Sequence, residues 1–286
     1  MGNYSQTFFD SYNAAYGRAY DSYIQETGTN FQGEADDNEN MLDSFLKAEY
    51  AKWLCTPLEA LSGETPQKFL ESIDSLDALV EMFNYGVIAC DDGLPESYIE
   101  KLRSYGEKAV DALLDTAALN GAEDDSDEML APLMAVKLLG QWRVSRAAEP
   151  LLKLLSSEDR GDGLLHEAIK DTLVCIGEPS LEAIFSALDS GTCSQETMEY
   201  LLMALADIGK KKRTDSIYIH LKKAFLEMPQ KLIAASCLGD YGDGRAVTAL
   251  RGYLEKRGQQ TDKETFYEII SSIKRLGGRT DDLKLD

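Results

Sequence analysis

Two histidines, His166 and His220, and five cysteines, Cys55, Cys90, Cys175, Cys193 and Cys237, are the natural metal ligands and nucleophiles of this 286-residue chain. Their spacing builds neither kind of site. No two cysteines form a Cys-x-x-Cys pair, and none has a histidine in a recognisable local signature. The chain has no Gly-x-Ser-x-Gly elbow to present a serine, and no Gly-x-x-x-x-Gly-Lys-Ser/Thr or Gly-x-Gly-x-x-Gly loop to hold phosphates. Asp36, Asn38 and Asn40 alternate as in a calcium loop, within a polar stretch, residues 27–40, that reads as a loop. Met41 stands where that motif needs glycine and Lys47 where a bidentate glutamate must close it, so calcium binding is rejected. The run Glu123-Asp124-Asp125-Ser126-Asp127-Glu128 precedes an apolar segment and reads as helix capping and dipole compensation. Catalytic residues, cofactors and metals are therefore all expected to be none. The odd, scattered cysteines read as free, mostly buried thiols of a reducing cytoplasm.

The elements that would position any site are easier to read. Five segments share one pattern: a small residue, a branched apolar one, two variable positions, an apolar or aromatic one, then glycine. They are Ala135–Gly140, Thr172–Gly177, Ala204–Gly209, Cys237–Gly242 and Ser272–Gly277, with glycines 37, 32, 33 and 35 residues apart. That is the period of a helical-hairpin array. Apolar positions three apart share a helix face, and the small residue lets a neighbouring helix approach. The terminal glycine suits the left-handed backbone that closes a helix, so Gly177 is expected at positive φ. Second helices lie between these ends, marked by Leu151 and Leu155, Ile184 and Leu188, Leu221 and Phe225, and Leu250 and Leu254. Upstream, Gly106 opens a segment with Val110 and Leu113 that fits the same template.

The stretch Gly242-Asp243-Gly244-Arg245-Ala246-Val247-Thr248-Ala249-Leu250 carries a resemblance to an inter-repeat turn and its following helix. On it and the glycine column, residues 106–277 resemble the HEAT-like repeats of the type described in phycobilin lyases. The second helices depart from that family in lacking an Asp followed by Val-Arg near their start. A regular ladder of side-chain hydrogen bonds is therefore not expected, whereas the packing is. The resemblance implies a right-handed α-solenoid that offers a curved surface to protein partners. Enzymes of this architecture supply the alternative. Deoxyhypusine hydroxylase binds two irons through several His-Glu pairs, and this chain has one, His166-Glu167, with His166 read as a near-surface helix residue. A DNA glycosylase-like role would need a basic groove, for which Lys210-Lys211-Lys212-Arg213, in a turn, is the candidate patch. A bilin lyase-like role would need a pigment pocket.

Residues 1–105 read as an acidic helical region capping the array. Phe8, Tyr12, Tyr16, Tyr20 and Ile24 recur every four residues as one aromatic stripe, serving either as a cap or as a groove for a partner peptide. Trp53 reads as a core anchor, and Thr65 before Pro66 as a helix N-cap. The N-terminus MGNYSQTFFD shows no basic segment followed by an apolar one, and Gln6 stands where a myristoylation pattern needs Ser or Thr. No apolar run approaches a membrane span.

Charge is unevenly placed. The chain carries 50 acidic and 29 basic side chains, a net charge of −21. Residues 1–128 hold 27 acidic and 7 basic groups, and residues 129–286 hold 23 and 22. Such a front repels nucleic acid and anionic membranes and favours a protein partner with a basic surface. The expected protein is all-α: an acidic helical region over 1–105, an α-solenoid of about five HEAT-like helix pairs over 106–277, and a tail over 278–286. Its expected role is that of a non-catalytic, cytoplasmic interaction scaffold. Asp207, Asp240 and Arg275, which share one repeat position, are candidate partner contacts, with Trp142 and Arg143 in a turn and Tyr12, Tyr16 and Tyr20 on the stripe.

Overall fold

Apolar residues recur at three- and four-residue spacing along most of the chain, and helices form where they do. The computed structural model describes residues 2–27, 35–90, 92–119, 127, 129–157 and 163–285. Among these residues there are fifteen α-helices and no strand, the one isolated bridge joining Leu58 to Glu64 across a tight turn. None of the described helices is long and apolar enough to cross a membrane. The chain divides into two units, Met1–Met134 and Ala135–Asp286.

The first unit contains α1 (Gly2–Thr27), α2 (Ala35–Cys55), α3 (Pro66–Glu71), α4 (Leu76–Ala89), α5 (Glu96–Arg103) and α6 (Glu107–Ala117). Helix α1 packs on α2 and α4, α3 bridges α2 and α5, and α6 packs on α4 and α5. Thr65 caps α3 as expected, its side chain accepting from the Lys68 N–H at 3.2 Å with Pro66 at the first helical position. Phe8, Phe9, Trp53, Leu79, Phe83 and Tyr98 make the core. Gly86 admits the Phe9 ring to α4, because a Cβ there would lie 2.5 Å from its Cζ.

Two expectations for this unit need correction. Residues 35–40 belong to helix α2, not to a loop. The aromatic stripe does not stay on one face, because each four-residue step overshoots a 3.6-residue turn by about 40°. Phe8 and Tyr12 are buried, Tyr16 is half-buried, and Tyr20 is 45% exposed, while Ala19 and Tyr23 have rotated into the core.

The unit boundary falls inside α7 (Leu130–Gln141). The second unit continues through α8 (Ala148–Leu155), α9 (Gly163–Ile176), α10 (Leu181–Asp189), α11 (Gln195–Lys211), α12 (Asp215–Glu227), α13 (Leu232–Tyr241), α14 (Ala246–Arg257) and α15 (Lys263–Arg275). Each repeated segment ends one of α7, α9, α11, α13 or α15. Its small residue is always buried, and so are both of its apolar positions, except that Leu276 is half-buried. Helices α9, α11, α13 and α15 pack one on the next, α10 packs on α8, and α14 on α12.

The glycine column splits into two roles, which corrects the single role expected of it. Gly177, Gly242 and Gly277 take positive φ, at 77°, 76° and 79°, and close their helices. Gly140 and Gly209 instead lie inside α7 and α11, where they admit a neighbour. A Cβ on Gly209 would sit 2.4 Å from the Tyr241 ring, and one on Gly140 would sit 2.8 Å from Thr172 Oγ1. The left-handed position after α7 falls to Arg143 instead, at φ 52°.

A second regularity comes with the close approach. Thr172 Oγ1 donates to the Val136 carbonyl at 2.9 Å and rests on Gly140, four residues further along α7. Ser272 Oγ donates to the Ala235 carbonyl at 2.9 Å and rests on Gly239, four residues further along α13. The same hydroxyl-on-glycine contact thus ties α9 to α7 and α15 to α13. Tyr241 ties differently: its hydroxyl donates to the Thr214 carbonyl and accepts from the Thr214 N–H, both at 2.8 Å.

Three glycine substitutions separate these roles. Gly177→Ala, at φ 77° and ψ −137°, should cost about 1–3 kcal/mol, because a Cβ is strained there. Gly209→Ala should cost about as much through overpacking against Tyr241. Gly252→Ala, inside α14 with nothing within 4 Å of the new Cβ, should stabilise by about 0.5–1 kcal/mol. Urea-unfolding midpoints of the full chain measure all three, and a Gly177→Ala midpoint equal to wild type would contradict the helix-closing role.

Candidate functional site

The repeat brings Asp207, Asp240 and Arg275 together. They lie near the C-terminal ends of α11, α13 and α15, helices that pack side by side. Arg275 pairs with Asp240 and Glu268, and its guanidinium also donates to Ser272 Oγ at 2.8 Å. Lys210 Nζ lies 2.7 Å from Asp207. Its ammonium is held above the ordinary lysine range first by that hydrogen bond, with the Asp240 charge adding to it. The row is therefore a continuous, exposed strip of alternating charge whose members satisfy one another. Exposed pairs of this kind contribute little stability, about 0–1 kcal/mol each.

The same repeat position on α9 is Cys175, which is exposed. Beside it lies a cleft of about 230 Å³ lined in part by Arg143, Gly177, Glu178, Lys211 and Lys212. Arg143 thus reaches the cleft, whereas Trp142 is half-buried, its backbone N–H donating to the Leu138 carbonyl at 2.9 Å. The basic run is largely neutralised. Lys210 pairs with Asp207, Lys212 with Glu178 at 3.1 Å, and the Arg213 guanidinium lies over Gly242 beside Asp243.

Three further expectations change. Tyr12 is 8% exposed and belongs to the core rather than to an exposed stripe. Tyr16 is half-buried and Tyr20 exposed. The thiols are not mostly buried: Cys90 and Cys237 are, but Cys55 and Cys175 are exposed and Cys193 is intermediate. His166 is buried, 6% exposed, with Nδ1 3.5 Å from a Glu196 oxygen and no hydrogen-bond partner on either ring nitrogen among the described residues. Position explains the error, since His166 sits on the face of α9 carrying Leu165 and Ile169, also buried. Among the described residues no group of three His, Cys, Asp or Glu side chains is placed to hold a metal. The acidic run 123–128 lies outside the described residues except for Asp127.

One arrangement had no signal in the sequence. His220 stacks on Phe185 with ring centroids 4.2 Å apart, its Nδ1 2.7 Å from the Ser216 carbonyl and its Nε2 3.3 Å from Asp189. Lys223 reaches the same carboxylate at 2.8 Å. Its hydrogen bond, followed by that of His220, holds Asp189 below the ordinary carboxylate range. These residues come from α10 and α12, 31 to 35 positions apart, and only the packing of those helices brings them together.

The thiols provide a direct check of these burial differences. Cys55 and Cys175 should take up a maleimide within minutes at about pH 8. Cys90 and Cys237 should remain unlabelled in the folded chain, and burial also pushes the Cys237 thiol up, which depletes its thiolate. Peptide mass spectrometry reads the order, and early labelling of Cys237 would contradict the packing of α13.

No protein-family model matches the chain, and no curated protein matches it.

Proposed function

We propose that the chain is a non-catalytic protein–protein interaction scaffold, in which an acidic front unit recruits a partner with a basic surface and a HEAT-like α-solenoid over residues 106–277 supplies an extended framework. One observation carries this reading. The boundary between the units, after Met134, leaves 27 acidic and 7 basic side chains on the first unit and 23 and 22 on the second. A net charge of −20 thus falls on one of the two units of the chain, where it acts as a local field rather than a diffuse property.

Charge pairing in the second unit supports the same division. Arg245 binds Asp243 and Asp215, Arg251 binds Asp282 and Glu255, and Arg275 binds Asp240 and Glu268. These cations are committed within the chain. For the solenoid, the support is the order in which helices pack: α9, α11, α13 and α15 successively, and the intervening helices on one another. Repeats that each contact their neighbours build a long surface, and the row through Asp207, Asp240 and Arg275 would be a strip of it. Absence of catalysis is inferred from the thin inventory of histidines and nucleophile motifs in the sequence.

Immobilised full chain exposed to a lysate of its own cells should retain a defined, lysine- and arginine-rich protein at low ionic strength. Retention should fall steeply as salt rises past the point where the Debye length is about 8 Å. Recovery of no defined protein at any salt concentration, or of one whose retention ignores salt, would refute the electrostatic role of the front unit.

A further inference from the structure

Helices α1 and α2 enclose a cavity of about 10 Å³, bordered by Tyr12, Tyr16 and Ala19 from one side and Glu49, Tyr50 and Trp53 from the other. The rings stand at angles to one another. Tyr12 is 6.1 Å from Tyr50 at 90°, 5.4 Å from Trp53 at 59° and 6.1 Å from Tyr16 at 48°. Four aromatic rings, those of Tyr12, Tyr16, Tyr50 and Trp53, therefore border the space. Two rings are fixed from behind: the Tyr50 hydroxyl accepts from the Ser97 N–H at 2.8 Å, and the Trp53 Nε1–H donates to Ser11 Oγ at 3.3 Å. A slot held in this way loses little entropy when it is filled.

Negative charge surrounds it. Glu49 forms part of the wall. The Tyr16 hydroxyl is pushed above its ordinary range by burial and then by the charges of Asp92 and Asp43. Burial likewise raises the Tyr50 hydroxyl, with Glu96 and Glu100 adding to it against the bonds from Ser97. Lys47, on the same helix, pairs with Asp43 at 2.7 Å, with the Glu96 charge adding to the hold on its ammonium.

We infer that this slot receives the ammonium end of a lysine side chain from the basic partner. The inference rests on the reading of the front unit given under Proposed function and adds the chemistry of the contact. Aromatic faces attract a cation through their quadrupole, and Glu49 supplies a charged hydrogen-bond acceptor. Size selects lysine over arginine: about 10 Å³ accommodates one water-sized group, which an ammonium matches and a planar guanidinium exceeds. Within the chain, Lys52 competes for Glu49 from the surface, three residues along the same helix.

The test uses the full chain carrying Trp142→Phe, which leaves Trp53 as its one indole. Its fluorescence is titrated with a lysine-rich peptide and an arginine-rich peptide of equal length and charge. The lysine peptide should change Trp53 emission saturably, at concentrations about fivefold below those the arginine peptide needs. Glu49→Gln and Tyr16→Leu should each weaken the lysine peptide about fivefold or more, the range of a cation–π contact with its carboxylate. Lys52→Gln, a surface change, should strengthen it. Glu81→Gln, equally acidic but exposed on α4, should leave binding within about twofold. Equal binding of both peptides, with Glu81→Gln as damaging as Glu49→Gln, would overturn the slot and leave the basic-partner reading standing. Binding of neither peptide at low salt would overturn both.

Discussion

How closely one helix can approach the next governs the second unit. Helices normally pack about 8–10 Å apart, at a distance set by the side chains between them. At Gly140, Gly209 and Gly239 there is no side chain, and Thr172, Tyr241 and Ser272 occupy the space. The approach has a chemical use. It brings the Thr172 and Ser272 hydroxyls within 2.9 Å of carbonyls of α7 and α13, so a polar group is buried with its partner supplied. A Cβ at Gly140 would push the Thr172 hydroxyl off its carbonyl, a loss larger than the contact itself, whereas Ser272 would keep Glu268 and Arg275 as partners.

The surface row follows from the same constraint. Because α11, α13 and α15 lie close, residues two before their column glycines meet across helices, and Asp240 reaches Arg275 from 35 positions away. The second unit therefore consumes much of its charge internally, while the first unit has few cations with which to do so. Of its seven, Lys47 and Lys52 are paired within one or two turns of α2. The result is a chain whose outward electrostatics reside mainly in one unit.

Much of this architecture was legible because it depends on spacing. Buried residues three apart and small residues at a fixed period need nothing beyond helix geometry, and the ends of α9, α13 and α15 fall where their glycines stand. Thr65 and Trp53 were legible for similarly local reasons. Gly140 and Gly209 were not, since a glycine that ends a helix and one that admits a neighbour look alike until the neighbour is placed. Arg143 took the left-handed position of α7 without any residue preference announcing it. On α1 the stripe misled because a period of four drifts from the core over several turns, so Tyr20 emerges while Tyr23 is buried. The aromatic residues were visible in the sequence, but their assembly with Glu49, Tyr50 and Trp53 depends on the pairing of α1 with α2. His220 and Asp189 were obscure for the same reason.

The central claim is that recognition of a basic partner resides in the acidic unit. Amide hydrogen exchange of the full chain, with and without a saturating lysine-rich peptide, tests it most directly. Added protection should appear in α1 and α2 and be absent from Ala135–Asp286. Protection centred on the ends of α11, α13 and α15, with α1 and α2 unchanged, would contradict it.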